Sequence, residues 1–135
     1  MADGVLHVEL VSPERVLLST DASMVIARTI GGGDIAFLPG HAPFIGALAT
    51  WIVEIIETAG SRQLAAVHGG FISINDNAVT ILSDLAELSE AVDVRRAEAA
   101  VERAEGAIRQ NTDDAEAVAA LARAHARLRA AGTTV

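Results

Sequence analysis

Residues 92–108 read VDVRRAEAAVERAEGAI, and at this point the chain changes its period. Val94, Ala97, Val101, Ala104 and Ile108 recur at spacings of three, four, three and four, the seam of packed helices. Asp93 stands just before that seam, where a carboxylate can accept the unpaired N–H groups of a first helical turn. Gly106 is a weak point inside the helix, costing about 1 kcal/mol against alanine. After the polar break Gln110-Asn111-Thr112 a second helix opens with Asp113, Asp114 and Glu116 and closes with Arg123, Arg127 and Arg129. Acids early and bases late suit the helix dipole. Its apolar positions include Val118, Leu121 and Leu128, with His125 in or beside the stripe. So short a break predicts an antiparallel hairpin. The seam is mostly alanine and valine. An alanine methyl contributes about 0.8 kcal/mol on burial, against about 1.5–3 for leucine or phenylalanine. The hairpin is therefore held weakly, as a switch or as a frayed end.

Upstream of Val92 the period is that of strands. Leu6, Val8 and Leu10 alternate with His7 and Glu9, and Met24, Ile26 and Ile30 share a parity that Arg28 interrupts. Further β-type runs cover residues 35–38, 51–56, 64–68, 71–75 and 79–82. Ser12-Pro13-Glu14, Gly31-Gly32-Gly33-Asp34, Pro39-Gly40, Gly60-Ser61, Gly69-Gly70 and Asn75-Asp76-Asn77 punctuate them as turns. Many short strands at close spacing predict an antiparallel sandwich or barrel. Several runs, such as WIVEII at residues 51–56, are apolar on both parities. One face lies in the core, and the other is covered or is a docking surface. The expected organisation is a β domain over residues 1–88 followed by a two-helix domain over residues 89–135.

Composition narrows the function classes. The 135 residues carry ten basic side chains, all arginine, against eighteen acidic ones, a net charge of −8. Residues 1–92 hold eleven acids and three arginines, and residues 93–135 hold seven of each. Nucleic-acid phosphates would be repelled by such a chain. Aromatics number four, Phe37, Phe44, Phe71 and Trp51, too few for a base-stacking platform. Without cysteine there is no disulfide framework, thiolate zinc site or thiol nucleophile. No run of apolar residues spans a bilayer, and the N-terminus lacks the pattern of a signal peptide, so the cytoplasm is the expected compartment.

Catalytic constellations come up short. A chain without lysine has no Walker phosphate loop, and G-x-S-x-G is missing. His7, His41, His68 and His125 lack metal-ligand spacing. His41, between Pro39 and Pro43, reads as a loop residue bonding to backbone, with general-base work as the other reading. Gly31-Gly32-Gly33 reads as a hairpin turn rather than a dinucleotide loop. The arginines say more. Arg96 and Arg103 fall on nearly one helical face with Asp93, and Arg123 and Arg127 are four apart on the second helix. In an antiparallel hairpin these four guanidinium groups either converge on phosphate oxygens or form a solvated face with intrahelical pairs.

Four stretches in order then carry a family resemblance: Gly33-Asp34-Ile35-Ala36-Phe37-Leu38-Pro39-Gly40-His41-Ala42-Pro43, Gly69-Gly70-Phe71, Val79-Thr80-Ile81-Leu82-Ser83-Asp84-Leu85-Ala86 and Val92-Asp93-Val94-Arg95-Arg96-Ala97. Together they resemble the epsilon subunit of bacterial F-type ATP synthases over essentially the whole chain. Asp34, Ala36 and Val92 depart from that family's usual glutamate, glycine and isoleucine or leucine. The resemblance implies a sandwich of about ten strands that docks on the gamma subunit and the c-ring, with Asp34 and His41 toward the c-ring loops. It implies a non-catalytic rotor part at the cytoplasmic face of the cell membrane, bound there through the complex. It implies a mobile hairpin that permits turnover when folded down and blocks ATP hydrolysis when extended toward the beta subunit, through Arg123, Arg127 and Arg129. No cofactor is required. In some members the folded-down hairpin binds ATP as a regulatory ligand, and the matching residues here are Glu87, Val92, Asp93, Arg96, Ala97, Arg103, Arg123 and Arg127. Two readings from other classes stand beside it: a small hydrolase with a histidine–carboxylate site at His41 and His68, and an acidic adaptor.

Overall fold

The structure, a computed structural model, describes residues 4–133; the extreme ends of the two expected domains, residues 1–3 and 134–135, lie outside it. Strand β1 (Leu6–Val11) buries Leu6, Val8 and Leu10 and exposes His7 and Glu9, as the alternation predicts. Strand β2 (Val16–Thr29) runs on for fourteen residues. Its first half pairs with β1, and its second half pairs with β3 (Gly33–Phe37) on the same edge and with β5 (Thr50–Glu57) on the other.

A register shift interrupts β2 between Ala22 and Met24, and it corrects the parity read from sequence. A bulge adds one residue and so exchanges the two faces of a strand. Ala22 points into the core before it, and Val25, Ala27 and Thr29 do so after it. Met24 and Ile26 are therefore only half-buried, and Ile30 is 69% exposed.

Strands β4 (Phe44–Ala47), β6 (Arg62–His68), β7 (Phe71–Asn75), β8 (Ala78–Leu82) and β9 (Ala86–Leu88) complete the nine strands of the described residues. The order is β4-β7-β8-β1-β2-β5-β6-β9, with β3 beside β2. Every pairing is antiparallel except β1 with β8, where the first strand meets one made some seventy residues later. At the β7–β8 turn Asp76 and Asn77 both hold positive φ, 56° and 65°. That is the two-residue hairpin geometry to which Asp and Asn are suited. The sheet folds over on itself as a sandwich, filled by Phe37, Leu10, Ile55, Ile72 and Ile81 among others.

Beyond a single 3₁₀ turn (Ser89–Ala91) come α1 (Val94–Gln110) and α2 (Ala115–Ala130). Asp93 caps α1, accepting the Arg96 N–H at 3.1 Å, and Asp114 caps α2, accepting the Ala117 N–H at 3.0 Å. The helices pack on each other, and α2 lies on β5 and β6. This settles the second apolar parity of WIVEII. Val53 and Ile55 enter the sandwich core, while Ile52 joins Ala66, Ala126 and Ala130 in a separate cluster bordered by Trp51, Leu64 and Val92. The chain's own hairpin covers that face. The seam is as small as expected: α1 buries Ala97 and Ala104, and α2 buries four alanines and Leu128. Val118 is half-exposed rather than in the stripe.

Candidate functional site

Strand β9 pairs with β6 so that Glu87 sits opposite Ala66, on the sheet face that meets α2. His68 shares that face, two residues beyond Ala66. The Glu87 Oε1 accepts the Arg127 Nε–H at 2.6 Å and lies 3.3 Å from His68 Nε2. This carboxylate thus ties α2 to the sheet. Burial holds the His68 imidazole below its ordinary value near 6.5, with Arg127 and Arg123 adding to the effect and Glu87 opposing it.

Above Glu87 the two helices bound a groove of about 380 Å³. Its walls carry Arg96 and Arg103 from α1, Arg123 and Arg127 from α2, and the carboxylates of Glu87 and Asp93. Ala97, Ala100 and Ala120 leave the space between them. Larger side chains at those positions would fill it. Four guanidinium groups face two carboxylates, so the groove is locally positive in a chain of net charge −8. Arg127 is held by Glu87, and Arg123 reaches Glu116 Oε2 at 2.6 Å. Arg96 and Arg103 have no ion pair among the described residues. Such a site suits a polyanion, since guanidinium forks match phosphate oxygens.

Of the residues matched to a nucleotide site, Glu87, Asp93, Arg96, Ala97, Arg103, Arg123 and Arg127 come together here. Val92 does not line the groove; it packs against the Ile52 cluster instead. Sequence reasoning missed Ala91, Ala100 and Ala120 as lining residues. Ala100 lies three residues from both Ala97 and Arg103, a helical spacing that could have found it.

The remaining expected residues sit elsewhere. Asp34 lies opposite Arg28 on β3 and accepts from its Nε at 2.8 Å, while the Arg28 guanidinium stacks 4.5 Å over the Trp51 ring. Arg129 borders a smaller hollow of about 180 Å³ with Asp34, Glu54 and Trp51. In this arrangement the three arginines of the hairpin end face the sheet and the groove. His41 bonds through Nδ1 to the Ala42 carbonyl at 2.7 Å and packs against Phe37, with ring centroids 4.9 Å apart. It shares no partner with His68. Another hollow, of about 450 Å³, lies over β8, β1 and β2 beside the His7–Asp21 pair and gathers no convergent cations. Among the described residues no group of three or more His, Asp or Glu could hold a metal, and no helix is long and apolar enough to cross a membrane.

Comparison with known proteins accounts for both halves of this architecture. A family model described as the ATP synthase delta/epsilon chain beta-sandwich domain matches residues 5–89, and one described as the delta/epsilon chain long alpha-helix domain matches residues 90–132. The chain is 46% identical over 125 residues to the ATP synthase epsilon chain of Streptomyces griseus, covering 93% of this chain and 94% of that one. It is 44% identical over 130 residues to the epsilon chain of Moorella thermoacetica, covering 94% and 96%. Among solved structures it superposes with a TM-score of 0.82 and 26% identity on a chain of the Euglena gracilis mitochondrial ATP synthase OSCP/F1/c-ring assembly, covering 97% of this chain and 83% of that one. With both of its parts matched in order and relatives this similar over most of its length, the chain belongs to the ATP synthase delta/epsilon chain family.

Proposed function

We propose that the chain is a non-catalytic epsilon subunit in the central stalk of an F-type ATP synthase, and that its hairpin senses ATP. The sandwich couples gamma to the c-ring, and the complex holds the chain at the membrane. The hairpin permits turnover while folded on β5 and β6 and obstructs ATP hydrolysis when it extends toward the beta subunit. The observation that supports the sensing role is the convergence of Arg96, Arg103, Arg123 and Arg127 between helices whose buried residues are alanines apart from Leu128.

Phosphates suit the four guanidinium groups, and the alanine-lined space between the helices leaves room for a ring system. ATP bound there would bridge α1, α2 and β9, so it would stabilise the folded hairpin and no other state. A ligand at a hundredfold excess over Kd adds about 2.7 kcal/mol to the state it prefers, enough to move a nearly balanced equilibrium. ATP is a ligand in this reading and is not hydrolysed by the chain. Arg123, Arg127 and Arg129 then do double work: facing the sheet and groove in the folded state, they become available to an acidic surface of the beta subunit once the hairpin lifts.

Titrating the isolated chain with ATP while following backbone hydrogen exchange in α2 tests this. Protection of α2 should saturate with ATP. Arg103→Ala and Arg127→Ala should each raise the apparent Kd about tenfold or more, the worth of one charge-assisted hydrogen bond. No protection at millimolar ATP would remove the sensing role and leave the stalk role standing. The stalk role is tested separately, by whether the chain co-purifies with gamma.

A further inference from the structure

We propose that His68 is a proton-operated latch on the hairpin: protonation of its imidazole, enclosed between Glu87 and Arg127 beneath α2, releases α2 from the sheet. The inference deepens the proposed function and rests on its mobile hairpin.

The geometry carries it. The His68 side chain is 4% exposed, although it sits on the outer face of the sheet beside Ala66. It owes that enclosure in part to α2, whose removal would return it to water. Its Nε2 reaches Glu87 Oε1 at 3.3 Å, but that same oxygen already accepts Arg127 Nε at 2.6 Å. Its Nδ1 is buried and has no hydrogen-bond partner among the described residues. In the neutral ring Nδ1 can stand as a bare acceptor. In the imidazolium it becomes an N–H donor with nothing to receive it, a far costlier burial.

The surrounding charges point the same way. From β9 the imidazole meets Glu87, and from α2 it meets Arg127 and Arg123. From β5 the residue opposite is the uncharged Thr50, and its own N–H is donated to the Leu85 carbonyl. One carboxylate, Glu87, would then serve two cations, the buried imidazolium and Arg127, while Arg123 keeps its own partner in Glu116. The cheapest relief is for α2 to lift, which removes Arg123 and Arg127 and hydrates His68 together. Burial accordingly depresses the His68 pKa in the docked state. A group whose docked pKa is lower than its open one leaves docking unaffected at high pH. It weakens docking progressively as pH falls below the open-state value, about 6.5. The open-to-docked ratio grows about tenfold for each unit separating the two values.

Trp51 is the chain's single tryptophan and borders the α2–sheet cluster, so it reports undocking. Acrylamide quenching of Trp51 and hydrogen exchange in α2, corrected for intrinsic rates, would be measured on the full chain from about pH 7.5 to about pH 5.5. Both should rise on acidification in the natural chain and in His125→Gln, which removes the histidine of α2 and keeps His68 on β6 in place. Both should stay flat in His68→Gln and in His68→Asn, two variants made so that one misfolded protein does not decide the matter. Arg127→Ala should loosen α2 already at neutral pH. A response that survives in both His68 variants, or that disappears in His125→Gln, overturns the latch. A hairpin that opens in Arg127→Ala but ignores pH in the natural chain also overturns it, with mobility intact. A hairpin that stays closed under all of these conditions overturns the latch and the mobile hairpin together.

Discussion

Gly70 holds φ at +108°, and a Cβ built on it would lie 2.0 Å from the Leu82 carbonyl oxygen. The obstacle is backbone of a paired strand and cannot swing aside. Gly70→Ala should therefore destabilise the chain by about 1–3 kcal/mol, read as a lower midpoint in urea unfolding. Gly70 was legible in the sequence as a turn, because glycine pairs punctuate strands. The closeness of Leu82 was not, because it follows from β7–β8 pairing. Glu87 and His68 make the same point within the candidate site. They are nineteen residues apart with no helical or strand spacing to join them, and they meet because β9 pairs with β6. Asp93, by contrast, acts on its own neighbourhood as an N-cap, and local position was enough to identify it.

Elements built on a single unbroken period were read correctly, and those that break it were not. Strand β1 and α1 follow one pattern from end to end, and α2 departs from its expected stripe at Val118. Strand β2 contains a bulge, and a bulge leaves no trace in composition; only the partner strand shows which residue is extra. Apolar character on both faces of β5 was visible, but whether another molecule or the chain's own hairpin covered the second face depended on where α2 came to rest. The helices also offer a test of how loosely the hairpin is held. At Gly106 in α1 an added Cβ would meet nothing closer than an Arg109 guanidinium nitrogen at 3.7 Å. Gly106→Ala should stiffen α1 by about 0.5–1 kcal/mol and slow its amide exchange about twofold to fivefold, without disturbing the sandwich.

For the whole molecule, two hydrophobic clusters do different work. The sandwich cluster, from Leu6 to Ile81, is enclosed by strands alone, whereas the cluster of Ile52, Ala66, Ala126 and Ala130 exists only while α2 is docked. A chain ending after residue 90 should accordingly keep a cooperative unfolding transition and expose Ile52, Trp51 and Leu64. Stronger fluorescence of an apolar dye beside a retained denaturation midpoint would verify this. Loss of the transition would mean that the sandwich depends on the hairpin. Charge is divided along the same line, since the acidic excess lies before the helices and the arginines of the groove lie within them.

The parallel pairing of β1 with β8 fixes an order of assembly during synthesis. Residues 6–11 leave the ribosome early, yet their neighbour on that edge does not exist until residues 78–82 have followed. Contacts so distant along the chain close slowly, and the waiting strand keeps an unpaired edge in the meantime. The helices follow β8 and β9 in the chain, so the surface that α2 covers is synthesised before α2 and stands bare until α2 docks on it.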